Sequence, residues 1–515
     1  MQRSTPPLLL AVAIFFAALV LATAWTGPYA LFHDELYYWA GAKRPGLGYV
    51  DHPPLAPWVL AGVTALFGDG RLGFRLVPSL CFAGTILLAG RMAQRFGAAS
   101  FGQVLAGLAV AVVPMNLVLF SFYSVNAIEI LLWTASTFLL LELIRTGNER
   151  LWLGLGAIAG IGLLDKHTFA LLAAGIAAGV LATPLRAHLR GRWPWLGGAL
   201  ALLLALPNLV WNARHGWPSL AFYRSRPAAD LPATFFDALE LQVLGASPAN
   251  LLVWVPGLVF LSFSRRMRAY RPFAIAFALL FAVILFSGHR RADRIAGIYP
   301  VALAAGATFW DQWRGRGYVG VRVALVGLLV ASGALAVPAT LPILSPPAVA
   351  RYFEALGEKP EIETVDVGQA MPLYFTGRLW WEGFADAVLA AWEALPPEER
   401  ERAVVLAPHW VFAAVVEYRG RDRGLPPVVA PHNAYWFWRD EAAGRDVVLA
   451  VAIPPELLSP HFTETRELGV LPCESCTGLR PDLPIVVATG PVRPLEDLLS
   501  EWRHFGIEAS PHLRQ

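Results

Sequence analysis

Hydrophobic positions in this chain come in long blocks, too continuous for alternating strands and too uniform for helices with one wet face. Runs such as Ala11–Ala24, Leu80–Leu88, Ile158–Leu164 and Val323–Leu329 lie inside stretches approaching the roughly 20 residues that cross bilayer hydrocarbon. The pattern predicts helices at about 8–25, 75–94, 101–119, 127–144, 152–165, 168–185, 194–211, 249–264, 272–287, 297–313 and 318–337. The first is read as a span and not a cleaved leader, because no clear small-x-small site follows Ala24 and apolar runs continue beyond it. A shorter apolar stretch at 54–67, with Trp58, predicts a helix lying along the interface.

Polar positions orient these helices. Basic turns carry Arg91 and Arg95; Arg145 and Arg150; Arg186, Arg190 and Arg192; Arg265, Arg266, Arg268 and Arg271; and Arg314 and Arg316. The excess of Lys and Arg on cytoplasmic loops places all of them, and the N-terminus with Arg3, inside. Eleven crossings then put the C-terminus outside. Two outer loops are long, about 26–74 and 212–248, and the second carries Trp217, Tyr223 and Phe235.

From about 338 the pattern changes. Pro342, Pro346 and Pro347 suggest a linker, followed by β-like runs at Arg402–Ala407, Asp446–Ile453 and Pro484–Val487 and helical patterns at 384–394 and 493–504. The expected fold is a polytopic α-helical membrane protein of about eleven transmembrane helices, residues 1–337, with a C-terminal soluble α+β domain, residues 338–515.

Composition agrees. Of 515 residues, 56% are hydrophobic and 15% charged, against about 25% charged in soluble domains. Net charge is +3, and no Lys/Arg cluster on a polar face suggests a nucleic-acid partner. Of three cysteines, Cys81 falls in a span. Cys473 and Cys476, on an oxidising outer side, are expected to form a structural disulfide, since a zinc site needs about four ligands.

The charged residues of the outer loops are the candidate chemistry. Phe32-His33-Asp34-Glu35-Leu36-Tyr37-Tyr38 holds adjacent carboxylates beside a membrane surface, suited to a general base or a divalent cation. The plainer reading makes Asp34 the N-cap of a helix over Leu36–Ala40. In Tyr49-Val50-Asp51-His52-Pro53-Pro54 two prolines stiffen the backbone and hold Asp51 and His52; the alternative is a helix start. Lys166 follows Asp165 where one span exits and the next enters, a point charge suited to phosphate, with Asp165 able to neutralise it. The stretch from Ser287 to Tyr299 collects His289, Arg290, Arg291, Asp293 and Arg294, an outer basic cluster that fits bidentate anion binding. Asn126, in Tyr123-Ser124-Val125-Asn126, offers hydrogen bonds from a turn. Under one topology all of these groups emerge on one face.

Asp34-Glu35 with Tyr37-Tyr38, followed by Asp51-His52-Pro53-Pro54-Leu55, resembles the first-loop signature of integral-membrane GT-C glycosyltransferases. The branch is that of protein O-mannosyltransferases and the aminoarabinose transferases of lipid A. Gly162-Leu163-Leu164-Asp165-Lys166-His167-Thr168, Leu206-Pro207-Asn208-Leu209-Val210-Trp211-Asn212 with His215-Gly216-Trp217-Pro218, and Gly424-Leu425-Pro426-Pro427-Val428 with His432-Asn433 and Tyr435-Trp436 are similar to further elements of that branch.

The resemblance implies a GT-C-like fold, a polyprenyl-phosphate sugar donor and an inverting transfer at the outer face of the inner membrane. The acceptor would be a glycolipid, glycan or protein, and membrane lipids would be further partners. Asp34 would be the catalytic carboxylate, with Glu35 assisting. Tyr38, Asp51, His52, Asn126, Lys166, Arg291 and Arg294 would contact substrate, Lys166 at the lipid phosphate. Glu35, Asp51 and His52 would form the site of any divalent cation (Mg, Mn or Zn); no other cofactor is implied. The chain departs from the aminoarabinose transferases where they carry Glu-Lys-Pro-Pro and it has Asp51-His52-Pro53-Pro54. A transporter or flippase for a lipid-linked sugar is the rival, and it predicts ionisable groups mid-membrane on discontinuous helices. A scaffold whose outer part binds a partner is a second alternative.

Overall fold

The computed structural model describes residues 5–25, 29–229, 232–288, 291–357, 370–471 and 483–506. Among the described residues sixteen α-helices lie up to Thr340: α1 Pro7–Ala22, α2 His33–Lys43, α3 Leu55–Phe67, α4 Arg71–Arg95, α5 Ser100–Ala111, α6 Pro114–Leu119, α7 Val125–Thr146, α8 Leu151–Asp165, α9 Phe169–Leu181, α10 Trp193–Arg214, α11 Pro218–Ala229, α12 Phe235–Gly245, α13 Leu251–Phe263, α14 Arg271–Leu285, α15 Tyr299–Gln312 and α16 Tyr318–Thr340. Each of the eleven predicted apolar runs is helical.

Span count is a separate matter. Among the described residues, α4, α7, α10, α16 and the stretch Arg265–Leu285 ending in α14 are long and apolar enough to cross a membrane singly. Two bent pairs, α9 with Pro184–Arg190 (102°) and α12 with Pro248–Phe263 (90°), meet the same test jointly. Length and composition thus carry five to seven crossings of the eleven expected. The run at 101–119 is broken between α5 and α6, because Pro114 lacks an N–H and Val113 before it is extended (φ −68°, ψ 117°). The stretch 212–248, expected as an outer loop, contains α11 and α12. The latter starts with a capping box in which Thr234 and Asp237 satisfy each other's backbone N–H groups.

Small residues let the helices close up. A Cβ on Gly156 of α8 would lie 2.0 Å from the Gly197 carbonyl of α10, and one on Gly306 of α15 would lie 1.8 Å from the Val253 carbonyl of α13. Such contacts are how apolar helices gain packing energy where no water is displaced.

The strands are β1 Ala403–Leu406, β2 Val428–Val429, β3 Val447–Val451, β4 Phe462–Leu471 and β5 Leu483–Pro491. They form one mixed sheet in the order β2-β1-β3-β5-β4. β1 pairs parallel with β2 and β3, and β5 pairs antiparallel with β3 and β4. Side chains alternate along β1. Ala403 and Val405 belong to the core shared with the helical part, and Val404 and Leu406 to a second core with Leu498 and Trp502. The shared core runs without a break from Leu9 of α1 to Val487 of β5. At the expected linker, α16 continues to Thr340, and Tyr374 Oη donates to the Ala339 carbonyl at 2.9 Å.

Candidate active site

α2 presents the two acids of the first loop in opposite ways. The helix starts at His33, with Phe32 as N-cap, and Glu35, third in the helix, accepts the Phe32 N–H at 2.7 Å. Capping therefore falls to Glu35 and leaves Asp34 free of it. Glu35 is fully buried. It also accepts the Tyr123 N–H at 2.7 Å and receives both ends of the Arg75 guanidinium, Nη2 at 3.1 Å and Nη1 closer. A carboxylate holding two backbone amides and a bidentate arginine is structural. The expected roles of Glu35 as catalytic assistant and cation ligand do not fit this engagement.

Asp34 remains partly open, its side chain 35% exposed, and its Oδ1 lies 3.1 Å from His33 Nε2. The other ring nitrogen of His33 is 3.2 Å from the Gly377 carbonyl. Both ring nitrogens of His33 face oxygen acceptors, which fixes the ring beside the Asp34 carboxyl. His33 went unassigned in the sequence, although its position directly before the acid pair was a usable signal.

The second cluster sits against the first. Tyr37 Oη accepts the Ala434 N–H at 3.1 Å and donates to Asp51 Oδ1 at 2.9 Å. His52 Nδ1 donates to the Pro53 carbonyl at 2.9 Å, and its ring lies 4.8 Å from Tyr38. Burial pushes Asp51 above the ordinary carboxylate value; His52 and the Tyr37 hydroxyl pull it back and the charge of Asp34 pushes the same way as burial. Burial holds His52 below its usual value, with Asp51 opposing. A cation site from Glu35, Asp51 and His52 does not form, since Glu35 is committed to Arg75. Among the described residues no group of three His, Cys, Asp or Glu side chains is arranged to hold a metal.

Lys166 caps α8 in an extended conformation and reaches back to α7. Its Nζ donates to Asn126 Oδ1 at 2.6 Å and to Glu129 Oε2 at 2.8 Å, and Thr168 Oγ1 donates to the other Glu129 oxygen at 2.6 Å. The partner of Lys166 is therefore Glu129, not the expected Asp165, whose two carboxylate oxygens are buried without a hydrogen bond among the described residues. Glu129, an acid inside a predicted span, was the signal that sequence reading overlooked. Next in the chain, His167 Nε2 donates to Asn208 Oδ1 at 3.0 Å, and Asn208 Nδ2 donates to the Leu47 carbonyl at 3.0 Å. Asp34 lies near enough for Asp51 to feel its charge, and His52 near enough to oppose protonation of His167, the neighbour of Lys166, so these residues share one region of the protein.

In the basic cluster expected on the outer side, Arg291 is largely buried and bound bidentately to Asp293, Nε to Oδ1 at 2.8 Å and Nη2 to Oδ2 at 2.7 Å. Burial acts to raise Asp293, but the charge and hydrogen bonds of Arg291, aided by Lys166 and Arg294, hold it below the usual range. Arg291, expected at a phosphate, is matched by this carboxylate. Arg294 is half-buried and near enough for Asp293 to feel its charge. His289, Arg290, Cys473 and Cys476 lie outside the described residues.

A family described as dolichyl-phosphate-mannose-protein mannosyltransferase matches residues 51–211. The lipid A galacturonosyltransferase RgtD of Rhizobium johnstonii is 27% identical over 185 residues, 36% of this chain and 39% of that protein. The undecaprenyl phosphate-alpha-4-amino-4-deoxy-L-arabinose arabinosyl transferase 2 of Pseudomonas fluorescens is 28% identical over 238 residues, 42% of this chain and 34% of the relative. The chain thus spans under two fifths of the length of each of these relatives. Among solved structures, ArnT from Cupriavidus metallidurans bound to undecaprenyl phosphate superposes with a TM-score of 0.58 at 16% identity, covering 93% of this chain and 97% of that one.

The chain is similar to that mannosyltransferase family over residues 51–211 and shares the fold of ArnT.

The family match begins at Asp51 and ends at Trp211, so it contains Asp51, His52, Asn126, Glu129, Lys166 and Asn208. The Asp34–Glu35 pair lies upstream of it. The ArnT likeness is one of fold, and the fold extends through the C-terminal sheet. Sequence reading also missed Arg75, the fifth residue of α4, which holds Glu35, and Arg378, fully buried and donating through Nη2 to Ser121 Oγ at 3.0 Å.

Proposed function

We propose that this chain is an inverting glycosyltransferase that moves a sugar from a polyprenyl-phosphate carrier to an acceptor on the outer face of the inner membrane. The N-terminus would be cytoplasmic, and the sheet-bearing residues from about 338 would stand outside. The observation that carries the reading is that one region holds both a partly exposed carboxyl, Asp34, and a cation held in place, Lys166 on Asn126 and Glu129.

The acceptor hydroxyl oxygen attacks the anomeric carbon. The bond from that carbon to the phosphate oxygen breaks, its electron pair stays on the phosphate, and the acceptor proton goes to Asp34. Lys166, fixed by Asn126 and Glu129, meets the charge that develops on the leaving phosphate. Arg294 is the second candidate there. His33 holds the Asp34 carboxyl in place, and Tyr37 with Asp51 fixes the floor beneath it. The donor headgroup would lie over His52 and Tyr38.

The test uses purified full-length protein, a panel of undecaprenyl-phosphate sugars and a glycolipid acceptor, with and without chelator. Wild type is expected to form a glycosidic product. Asp34→Asn should lower that rate about 10²–10⁴-fold, the usual span of a general base, with unchanged thermal unfolding. Undiminished transfer by the folded variant removes Asp34 from the chemistry. Movement of the intact lipid-linked sugar across a bilayer with no product replaces transfer by the flippase reading.

A further inference from the structure

One feature of the tail is not absorbed by the reaction. The segment Asn433–Ala442, Asn-Ala-Tyr-Trp-Phe-Trp-Arg-Asp-Glu-Ala, is a 3-10 turn rich in aromatic side chains. It faces the loop Arg44–Tyr49 and the end of α10. Between the three lies an open cleft of about 390 Å³, lined by Arg44, Tyr49, Trp211, His215, Phe437 and Trp438 with backbone around them. Ligand pockets begin at about 300 Å³, so the space suits one or two saccharide rings.

The cleft is built in advance. Tyr49 Oη donates to the Gly41 carbonyl at 2.8 Å and accepts the Gly46 N–H at 3.1 Å, and Trp58 Nε1 donates to the Gly46 carbonyl at 2.9 Å. A Cβ on Gly48 would meet the Trp211 ring at 2.5 Å, so only glycine lets this loop lie on α10. On the tail side, Asn433 takes a positive φ of 47°, and its side chain exchanges hydrogen bonds with the Gly506 backbone, at 3.0 and 3.1 Å. That conformation, which Asn tolerates better than most residues, sends the Ala434 N–H to Tyr37 and through it to Asp51. The wall of the cleft and the floor of the candidate active site are one rigid piece.

Its chemistry selects among ligands. The one arginine is already matched: Arg44 donates to Glu441 at 2.6 and 2.8 Å, pairs with Glu417 at 2.7 Å, and lies 4.6 Å from the Trp438 ring centre. One cation held by two carboxylates is a poor phosphate site. His215 Nδ1 donates to the Trp211 carbonyl at 2.7 Å, which leaves Nε2 of the neutral ring as an acceptor for a hydroxyl. Trp211, His215 and Phe437 stand within 5.3 Å of one another. Aromatic rings beside uncharged hydrogen-bonding groups suit the apolar C–H faces and hydroxyl edges of a sugar. The position at the end of the apolar helix α10 puts that sugar at the membrane surface.

We propose that this cleft is a saccharide subsite for the acceptor. It binds a sugar ring of a membrane-borne glycolipid next to the ring that receives the transferred unit. The proposal rests on the glycosyl-transfer reading for its purpose, but its binding test does not depend on catalysis.

The probe is a radiolabelled glycolipid with a glucosamine-disaccharide headgroup, titrated onto the full-length protein in nanodiscs, with unlabelled phosphatidylglycerol as the sugar-free competitor. Trp438→Ala should raise the glycolipid Kd about tenfold and His215→Ala about threefold, while the Kd for undecaprenyl phosphate stays at the wild-type value. His215 is exposed, so its variant folds even where Trp438→Ala does not. Wild-type glycolipid affinity in the folded His215→Ala and Trp438→Ala proteins overturns the proposal. So does full displacement of the probe by phosphatidylglycerol, which marks a lipid surface. Weakened binding in the variants of a protein that transfers nothing upholds the subsite and rejects the enzyme. Transfer with unaltered glycolipid affinity does the reverse.

Discussion

Two of the ion pairs in the helical part of this molecule are built for different ends. Glu35 and Arg75 are closed: their side chains are 0% and 2% exposed, and Glu35 also accepts two backbone N–H groups. Each Glu35 oxygen has two partners inside the protein, so nothing of the carboxylate is left to offer a substrate, while Arg75 Nε is buried without a hydrogen bond among the described residues. Lys166 and Glu129 are more open, at 14% and 6%, and the ammonium sits at a helix end beside the loop that carries Asp51 and His52. A lysine has three donors; Asn126 and Glu129 take two of them. The difference teaches where to look for function: a saturated pair holds the chain, and an incompletely saturated one can bind.

The sharpest way to break the comparison is Glu35→Gln. It leaves the Arg75 guanidinium buried without a counter-charge, which costs about 3–5 kcal/mol when one partner of a buried pair is removed. The variant should yield little folded protein, read as loss of a monodisperse peak in detergent and a large drop in Tm. An equally stable Glu35→Gln protein would place Glu35 with the substrate-facing acids. Lys166→Ala should act the other way round. We expect a folded protein whose affinity for undecaprenyl phosphate falls about a hundredfold, equivalent to about 2.7 kcal/mol, measured by titration. Unchanged affinity would move the phosphate elsewhere, with Arg294 the next candidate.

A smaller effect tests the acid–histidine element between the pairs. Burial keeps His52 neutral to lower pH than in the unfolded chain. A group with a lowered value contributes stability above its unfolded pKa of about 6.5, and that contribution is lost as pH falls from there toward the folded value. Between pH 7.5 and 5.5 the wild type should lose stability with a slope of up to about 1.4 kcal/mol per pH unit from this residue. His52→Gln, which cannot titrate, should flatten the curve of Tm against pH in that window. Asp51, raised by burial, works in the opposite sense, from its unfolded value of about 3.9 upward, and Asp51→Asn removes its contribution. An identical slope in His52→Gln would assign the proton uptake to another group.

What the sequence made legible follows the same division between continuous pattern and distant pairing. Apolar runs located every predicted helix, because a helix that is apolar all round needs no partner to be recognised. β1, β3 and β5 were readable as apolar strand runs. β4 was not, since Thr463–Gly469 is mostly polar and lies at the sheet edge with little buried between Phe462 and Leu471. β2 is two residues long and has no pattern to find. In the site, motifs named the right neighbourhoods, but Asp34 and Glu35 looked equivalent. Their opposite fates depend on Arg75 and Tyr123, which lie 40 and 88 positions away from Glu35. No local spacing encodes that. Glu129 was within reach, because an acid inside an apolar helix demands a partner.

The finest test of the comparison is Glu129→Gln, where two effects oppose each other. Removing the carboxylate takes away the charge that competes with phosphate for Lys166, which favours an incoming anion. It also loosens the lysine, since a neutral amide oxygen accepts less strongly than a carboxylate. Asn126 still holds one donor at 2.6 Å, and the glutamine oxygen can take over the bond from Lys166 or from Thr168, so position is largely kept. Competition should therefore dominate, and undecaprenyl phosphate should bind about threefold tighter, with a small fall in Tm. In Glu35→Gln the same chemical change has no anion to favour and only strands an arginine. Weaker binding in folded Glu129→Gln would mean that the carboxylate serves to aim the lysine, and that the Lys166 pair is nearer in kind to Glu35–Arg75 than its exposure indicates.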